Sequence, residues 1–169
     1  MPTDPRNIRL LALDVDGVMT DGSIMIDDHG QETKRFDVKD GLGITSWLRL
    51  GLEVAVVTKR SGNVVKVRCR ELGITRIIQG CANKAAAIAE LQIQTGIPPE
   101  QMAFVGDDWP DLAALRVVGY PIAVADAVPE VREVAAFITT RSGGHGAVRE
   151  VVEHLLRAKG LLQAAIDHH

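Results

Sequence analysis

The sequence predicts an α/β domain in which helices cover both faces of an open parallel sheet in three layers, with a β-hairpin flap inserted after the first strand and no separate cap domain. Three observations lead there. Short apolar, β-branched segments recur along the chain with helix-like stretches between them. The segments are continuously hydrophobic rather than alternating, which is the pattern of strands buried on both faces of a parallel sheet. One polar break, directly after the first segment, interrupts the alternation and has the composition of a turn.

The first strand is read over residues 8–13. Asp27-Asp28-His29-Gly30 then separates two short runs, residues 23–26 and 33–38, and the three together read as a hairpin. The next strand spans 53–58 and is followed by a helix over 64–72 that stops at Gly73. A strand over 75–79, a helix over 84–95 ending at Gly96, a strand over 102–105 and a helix over 111–118 ending at Gly119 continue the pattern. Strands over 121–124 and 136–139 and a helix over 147–159 ending at Gly160 complete it. Glycine suits the position just past a helix because it adopts the left-handed backbone that closes the last turn. With no internal repeat or low-complexity linker, residues 1–169 are expected to form a single domain, the flap at 23–38 being an insertion and 141–169 a C-terminal tail and helix.

Composition excludes several classes of function. A chain of 169 residues can bury about two thirds of its unfolded surface in one core. Its net charge of -3 leaves no basic footprint for nucleic acid, and at 4% aromatic residues it has little with which to stack bases. No apolar run approaches the ~20 residues that cross a bilayer, so no membrane partner is expected. Cys69 and Cys81 lack the spacing of a redox or zinc motif and read as reduced thiols, which together with the N-terminal composition predicts a cytoplasmic protein.

The chemistry gathers at strand ends. Leu13-Asp14-Val15-Asp16-Gly17-Val18 places two carboxylates where the first strand leaves the sheet, and Gly17 permits a turn that would send them in different directions. Val105-Gly106-Asp107-Asp108-Trp109-Pro110-Asp111 brings three more acids to the end of another strand. Side by side, such acids repel one another unless a cation neutralises them, and hard oxygen ligands suit Mg2+. Thr58 ends the second main strand with a hydroxyl, and Lys84 opens a helix with an ammonium. Both are suited to phosphoryl oxygens, because phosphoryl transfer is catalysed mainly by positioning and charge stabilisation. Trp109 is expected to pack beside this site, and His145 reads as an exposed loop histidine.

The order Asp-x-Asp-Gly, then Thr after a hydrophobic strand, then Lys, then Gly-Asp-Asp-x-x-Asp resembles the four-motif signature of the haloacid dehalogenase superfamily. Its capless branch is matched over nearly the whole chain, through Asp14-Val15-Asp16-Gly17-Val18-Met19-Thr20-Asp21-Gly22, Val38-Lys39-Asp40-Gly41-Leu42-Gly43-Ile44, Arg68-Cys69-x-x-Leu72-Gly73-Ile74 and Gly143-Gly144-x-Gly146-Ala147-Val148-Arg149-Glu150. The resemblance implies a Rossmann-like phosphatase in which Asp14 is the nucleophile and Asp16 the general acid and base. It also implies that Asp14, the Asp16 carbonyl and Asp107 hold Mg2+, that Asp108 and Asp111 support them, and that Thr58 and Lys84 grip the phosphoryl oxygens. Substrate contacts fall on Asp37, Val38, Lys39, Asp40 and Gly41, on Arg60 and Arg68, and on Lys84.

The implied substrate is a phosphorylated 2-keto-3-deoxy sugar acid, with the eight-carbon acid of lipopolysaccharide synthesis first and a nine-carbon nonulosonate 9-phosphate as the alternative. Relatives of the nine-carbon kind tend to carry Glu where this chain has Arg60, which favours the eight-carbon acid. A non-catalytic module that binds a phosphometabolite should have lost a carboxylate or the lysine, yet Asp14, Asp16, Thr58, Lys84 and Asp107 are all present. Lys59, Lys39 and Thr45 depart from the branch, standing where Gly, Arg and Arg are usual. The hairpin is expected to expose strand edges carrying Ile24, Ile26 and Phe36; the resemblance further implies a homotetramer whose hairpins cluster centrally and whose segment 141–150, with glycines that give flexibility and close backbone approach, closes the site of a neighbouring chain.

Overall fold

A computed structural model of the chain describes residues 2–168. Its centre is strand β1 (Leu10–Leu13), in which every residue is buried. The ribbon β2 (Met25–Ile26) and β3 (Glu32–Thr33) follows, then helix α1 (Val38–Arg49), strand β4 (Glu53–Val57), helix α2 (Asn63–Leu72), strand β5 (Arg76–Ile78) and helix α3 (Lys84–Thr95). The second half runs through β6 (Met102–Gly106), α4 (Leu112–Leu115), β7 (Tyr120–Ala123), α5 (Pro129–Val134), β8 (Phe137–Ile138), α6 (Ala147–Ala158) and α7 (Leu162–Asp167). Six strands form a sheet in the order β5-β4-β1-β6-β7-β8, and each neighbouring pair is parallel.

This order is what positions the site. From β1 the chain moves outward through β4 to β5, then returns to the other side of β1 to lay down β6, β7 and β8. The reversal opens a crevice beyond the carboxyl ends of β1, β4 and β6, where ligands collect in open parallel sheets. The residues next in sequence after those strands are Asp14, Thr58 and Asp107.

Helices cover both faces. On α6 the residues Ala147, Val148, Val151, Val152, Leu155 and Leu156 are buried, a stripe with helical spacing, and the helix packs on α1. On the other face α3 contributes Ala87, Ile88 and Leu91 to the core and packs against α4.

Four expectations need correction. The hairpin's second strand ends at Thr33 rather than at residue 38, because Asp37 accepts a hydrogen bond from the Lys39 N–H at 2.6 Å and starts α1 there. Helix α1 itself was not expected, since Gly41 and Gly43 weaken a helical reading. Those glycines serve packing. A Cβ on Gly43 would lie 3.2 Å from the Arg149 Cα of α6, so its lack of a side chain lets those two helices approach, while Gly41 leaves room for Arg68 and Leu72 of α2. Phe36, expected to be exposed on the hairpin, packs against the core with the Arg68 guanidinium 5.7 Å from its ring centre. The helix expected over 111–118 is only Leu112–Leu115, following a 3-10 turn at Trp109–Asp111. Beyond it Gly119 passes so close to the Glu100 carbonyl that a Cβ would sit 2.1 Å from the oxygen.

Candidate active site

Asp14 leaves β1 with its N–H bonded to the Val105 carbonyl of β6 at 3.1 Å, so the first residue of the site is fixed by sheet pairing. The chain then coils tightly, with the N–H groups of Val18, Met19 and Thr20 all directed at the Val15 carbonyl. Gly17 sits in this coil at φ 88°, and a Cβ there would lie 2.0 Å from Asp107 Oδ2. Glycine is therefore required twice over, for a backbone that L-residues disfavour and for the space taken by a carboxylate.

The coil sends the two leading carboxylates apart. Asp14 Oδ1 lies 2.8 Å from Lys84 Nζ, whereas Asp16 Oδ1 accepts from Lys34 and its Oδ2 lies 3.8 Å from Arg60 Nε. Lys84 opens α3, where Asn83 accepts from the N–H groups of Ala85 and Ala86 and so sets the start of the helix. With its side chain 2% exposed, Lys84 bridges Asp14 and Asp111, the latter at 2.5 Å. Burial alone would pull its ammonium down. The attraction of Asp14 and Asp111 outweighs that and holds it above the ordinary lysine value.

Asp111 is the most heavily used carboxylate here. Its second oxygen accepts from the Asp107 N–H at 2.9 Å and the Asp108 N–H at 3.3 Å, while Asp108 accepts from the Trp109 N–H at 2.7 Å. This reciprocal cap shapes the turn after β6. Trp109 is 64% exposed and does not line the cavity that its neighbours Asp108, Pro110 and Asp111 line, contrary to expectation.

Carboxylate oxygens of Asp14, Asp107 and Asp111 come within 4.8 Å of one another. Burial, then repulsion from Asp111, raises Asp14 to about 7 against the pull of Lys84. Burial, then repulsion from Asp111 and Asp14, raises Asp107 to about 8. One ammonium thus leaves the cluster short of positive charge, and a hard, oxygen-seeking dication is the group that fits it.

Thr58 follows β4 and is buried. Its Oγ1 accepts from the Arg60 N–H at 3.3 Å, and its carbonyl accepts from Cys81 N–H at 3.1 Å, tying together the loops that carry Arg60 and Lys84. A cavity of about 170 Å³ lies over these groups, lined by Asp14, Asp16, Thr58, Lys59, Arg60, Lys84, Asp107, Asp108, Pro110 and Asp111. It is wide enough for a phosphoryl group, and its rim at Arg60 is open to larger substituents.

The fold does not bring the remaining anticipated residues to that cavity within one chain. Asp37 caps α1, Val38 is 80% exposed and Lys39 is exposed. Asp40 is buried and accepts the Arg149 N–H at 2.8 Å, which caps α6 from a neighbouring helix; burial, foremost, lifts its carboxyl to about 6. Gly41 faces Arg68, whose guanidinium pairs with Glu71 at 2.9 Å.

The glycine-rich segment docks under the coil that follows β1 in its own chain. Gly144 N–H donates to the Val18 carbonyl at 3.0 Å and Gly143 N–H to Asp126 at 3.0 Å. A Cβ on Gly143 would lie 1.7 Å from the Gly17 carbonyl oxygen. These glycines are there for close approach, not flexibility. His145, exposed as expected, joins Arg35 at 3.1 Å, and Arg35 in turn pairs with Asp21 at 3.0 Å.

Two residues at the site were not anticipated. Lys34 and Glu32 descend from the hairpin to Asp16 and Arg60. In sequence, Glu32-Thr33-Lys34-Arg35 has the look of a solvated charged run, and no local signal marks its lysine as buried.

Comparison with known proteins agrees with this geometry. A family described as haloacid dehalogenase-like hydrolase matches residues 54–151. The 3-deoxy-D-manno-octulosonate 8-phosphate phosphatase of Escherichia coli is 47% identical over 159 residues, 94% of this chain and 85% of that one. The crystal structure of the Moraxella catarrhalis enzyme of the same name, in complex with magnesium, phosphate and KDO, superposes with a TM-score of 0.95 at 42% identity, over 98% of this chain and 95% of that one. The cobalt-bound enzyme of Haemophilus influenzae gives 0.93 at 36%, over 96% and 95%.

Proposed function

This chain belongs to the haloacid dehalogenase-like hydrolases, and from that premise we propose that it is a Mg2+-dependent phosphatase hydrolysing 3-deoxy-D-manno-octulosonate 8-phosphate through an aspartyl-phosphate on Asp14. The observation that carries the reading is the bridge of Lys84 between Asp14 and Asp111, beside Asp107 and inside one phosphate-sized cavity.

In the first half-reaction an Asp14 oxygen attacks phosphorus. The bond from phosphorus to the sugar oxygen breaks with its electron pair on that oxygen, which takes a proton from Asp16. In the second half Asp16 removes a proton from water as the water attacks phosphorus, and the pair of the Asp14–phosphorus bond returns to the Asp14 carboxylate. Thr58 and Lys84 grip the phosphoryl oxygens, and Asp111 aims Lys84. Asp14 and Asp107, with the Asp16 carbonyl, are the groups that would hold Mg2+, which when bound supplies positive charge between nucleophile and phosphate. Arg60, 45% exposed at the rim, is suited to a substrate carboxylate by its planar fork of donors.

The test is a panel in which the eight-carbon sugar acid phosphate, a nonulosonate 9-phosphate and 4-nitrophenyl phosphate are compared by kcat/KM, with Mg2+ and with EDTA. Preference for the eight-carbon acid and silence in EDTA are expected; preference for the nine-carbon acid reassigns the substrate, and turnover in metal-free protein overturns the mechanism.

The proposal extends to assembly. The ribbon exposes Ile24, Met25 and Ile26, an edge that favours pairing or burial, and we assign it to the centre of a homotetramer. Light scattering that reports a fully active monomer would rule this out. Among the described residues no helix is long and apolar enough to cross a membrane, and both cysteines are free, which fits the cytoplasmic setting proposed here.

A further inference from the structure

One buried charge at the site has been given no role. Lys34 follows β3, and its side chain is 2% exposed, as enclosed as that of Lys84. Its Nζ donates to Asp16 Oδ1 and lies 2.9 Å from Glu32 Oε1. The same Glu32 oxygen takes Arg60 Nη2 at 2.9 Å, and Arg60 Nε stands 3.8 Å from Asp16 Oδ2. Two cations and two carboxylates therefore alternate in a closed ring, of which Asp16 and Arg60 line the phosphoryl cavity and Asp16 is its carboxylate.

The ring treats the two oxygens of Asp16 differently. Oδ1 is held by a buried ammonium. Oδ2 has only a half-exposed guanidinium beyond hydrogen-bonding distance, and the Asp16 carboxyl lines the cavity. A carboxyl held at one oxygen can still carry a proton on the other, because Oδ1 accepts from Lys34 whether the group is ionised or protonated. Turning the group over would exchange the oxygens and place a hydroxyl against the ammonium, donor against donor.

We propose that Lys34 is a positioning residue for Asp16: by anchoring Oδ1 it makes Oδ2 the oxygen that passes the proton. The inference rests on the reading of Asp16 as general acid and base. As the ester bond breaks, the leaving oxygen receives the electron pair from phosphorus and the proton from Oδ2, and Asp16 is left as a carboxylate. When water attacks, Oδ2 takes a proton back. Lys34 keeps its own protons throughout and touches neither substrate nor phosphate. Glu32 holds Lys34 from the opposite side, so the base of the hairpin is part of the device that aims the acid.

The experiment uses the Mg2+-loaded enzyme with Lys34→Met, Lys34→Arg, Asp16→Asn and the Lys34→Met/Asp16→Asn double variant. An alkyl phosphate needs its leaving oxygen protonated, whereas 4-nitrophenolate leaves without a proton. Lys34→Met should lower single-turnover cleavage of the sugar phosphate by on the order of 100-fold. The 4-nitrophenolate burst should fall by less than about threefold, with the slow phase after it lowered because water activation also uses Asp16. Lys34→Arg should recover most of the loss, and the double variant should be no worse than Asp16→Asn alone. Equal losses in the burst and in sugar phosphate cleavage, or additive losses in the double variant, would overturn the proposal. So would an unaffected sugar phosphate. If Lys34→Met does not fold by circular dichroism, Lys34→Gln serves in the same comparison. A parent enzyme with no burst, and with Asp16→Asn fully active, would instead overturn the underlying reading of the site.

Discussion

Replacing Asp111 by asparagine tests the electrostatic frame of the site more sharply than removing the nucleophile does. The carboxylate is 1% exposed, and both of its oxygens act as acceptors, one for Lys84 at 2.5 Å and the other for the N–H groups of Asp107 and Asp108 at 2.9 and 3.3 Å. Asparagine keeps the shape but offers one acceptor oxygen. Its NH2 must face either the ammonium or the two backbone donors. Taking a charge from a buried pair costs about 3–5 kcal/mol, and an unsatisfied buried donor about 1–3 kcal/mol. Against this, the change relieves repulsion on Asp14 and Asp107, both of which Asp111 pushes upward. Lys84 also retains Asp14. A net loss of about 3 kcal/mol follows, which for a chain of this size lowers Tm by about 6–12 °C. Urea unfolding and thermal melts of Asp111→Asn in EDTA would read it, with kcat measured in Mg2+ to show whether Lys84 has moved. A loss below about 0.5 kcal/mol, the range of ordinary surface substitutions, would mean that Asp111 does not hold the site together.

Further outcomes are expected. Asp14→Asn should abolish turnover, whereas Asp16→Asn should still release one equivalent of 4-nitrophenolate and then stall; comparable steady rates in Asp14→Asn and the parent would exclude the covalent route. Asp14 and Asp107 lie near 7 and 8 against 3.8 unfolded, so between about pH 4 and about pH 8 the native state binds more protons than the unfolded one, and metal-free stability should fall as pH rises. Mg2+ should flatten that slope, and a Tm in EDTA that climbs over the same range would contradict the assignment. Gly143→Ala, with its Cβ 1.7 Å from a carbonyl oxygen, should cost about 3 kcal/mol or more, while Gly30→Ala, at φ 75° with nothing within 4 Å, should cost about 1 kcal/mol; similar melting temperatures for the two would refute the close docking. Arg60→Ala should harm hydrolysis of the sugar acid phosphate far more than that of 4-nitrophenyl phosphate, and equal losses would place Arg60 on the phosphate.

What could be read from sequence divides along physical lines. The strands were legible because the sheet is covered on both faces, so β1, β4 and β6 announce themselves by unbroken hydrophobicity. Asp14, Thr58, Lys84 and Asp107 stood out because the motif order carries them, and the strand order then brings them together. Helix α1 did not stand out. Its glycines lower local propensity, and what stabilises it is contact with α6, far away in sequence. For Gly143 and Gly144 the sequence offered flexibility and close approach together, since composition alone does not separate the two, and it is the close approach that the fold uses. Lys34 was hidden for a related reason. Nothing local distinguishes a lysine in water from one enclosed by Asp16 and Glu32.

The docking of Gly143 and Gly144 beneath the coil at Gly17 and Thr20 has a bearing on biosynthesis. The carboxylates of the first motif are made well before the backbone that supports them from below, which lies far downstream in the chain. At ~5–20 residues per second, many seconds separate the two on the ribosome. During that interval β1 also waits for β6, its partner across the crevice. A nascent chain therefore carries Asp14 and Asp16 without the backbone that shapes their coil until the segment with Gly143 and Gly144 has folded back.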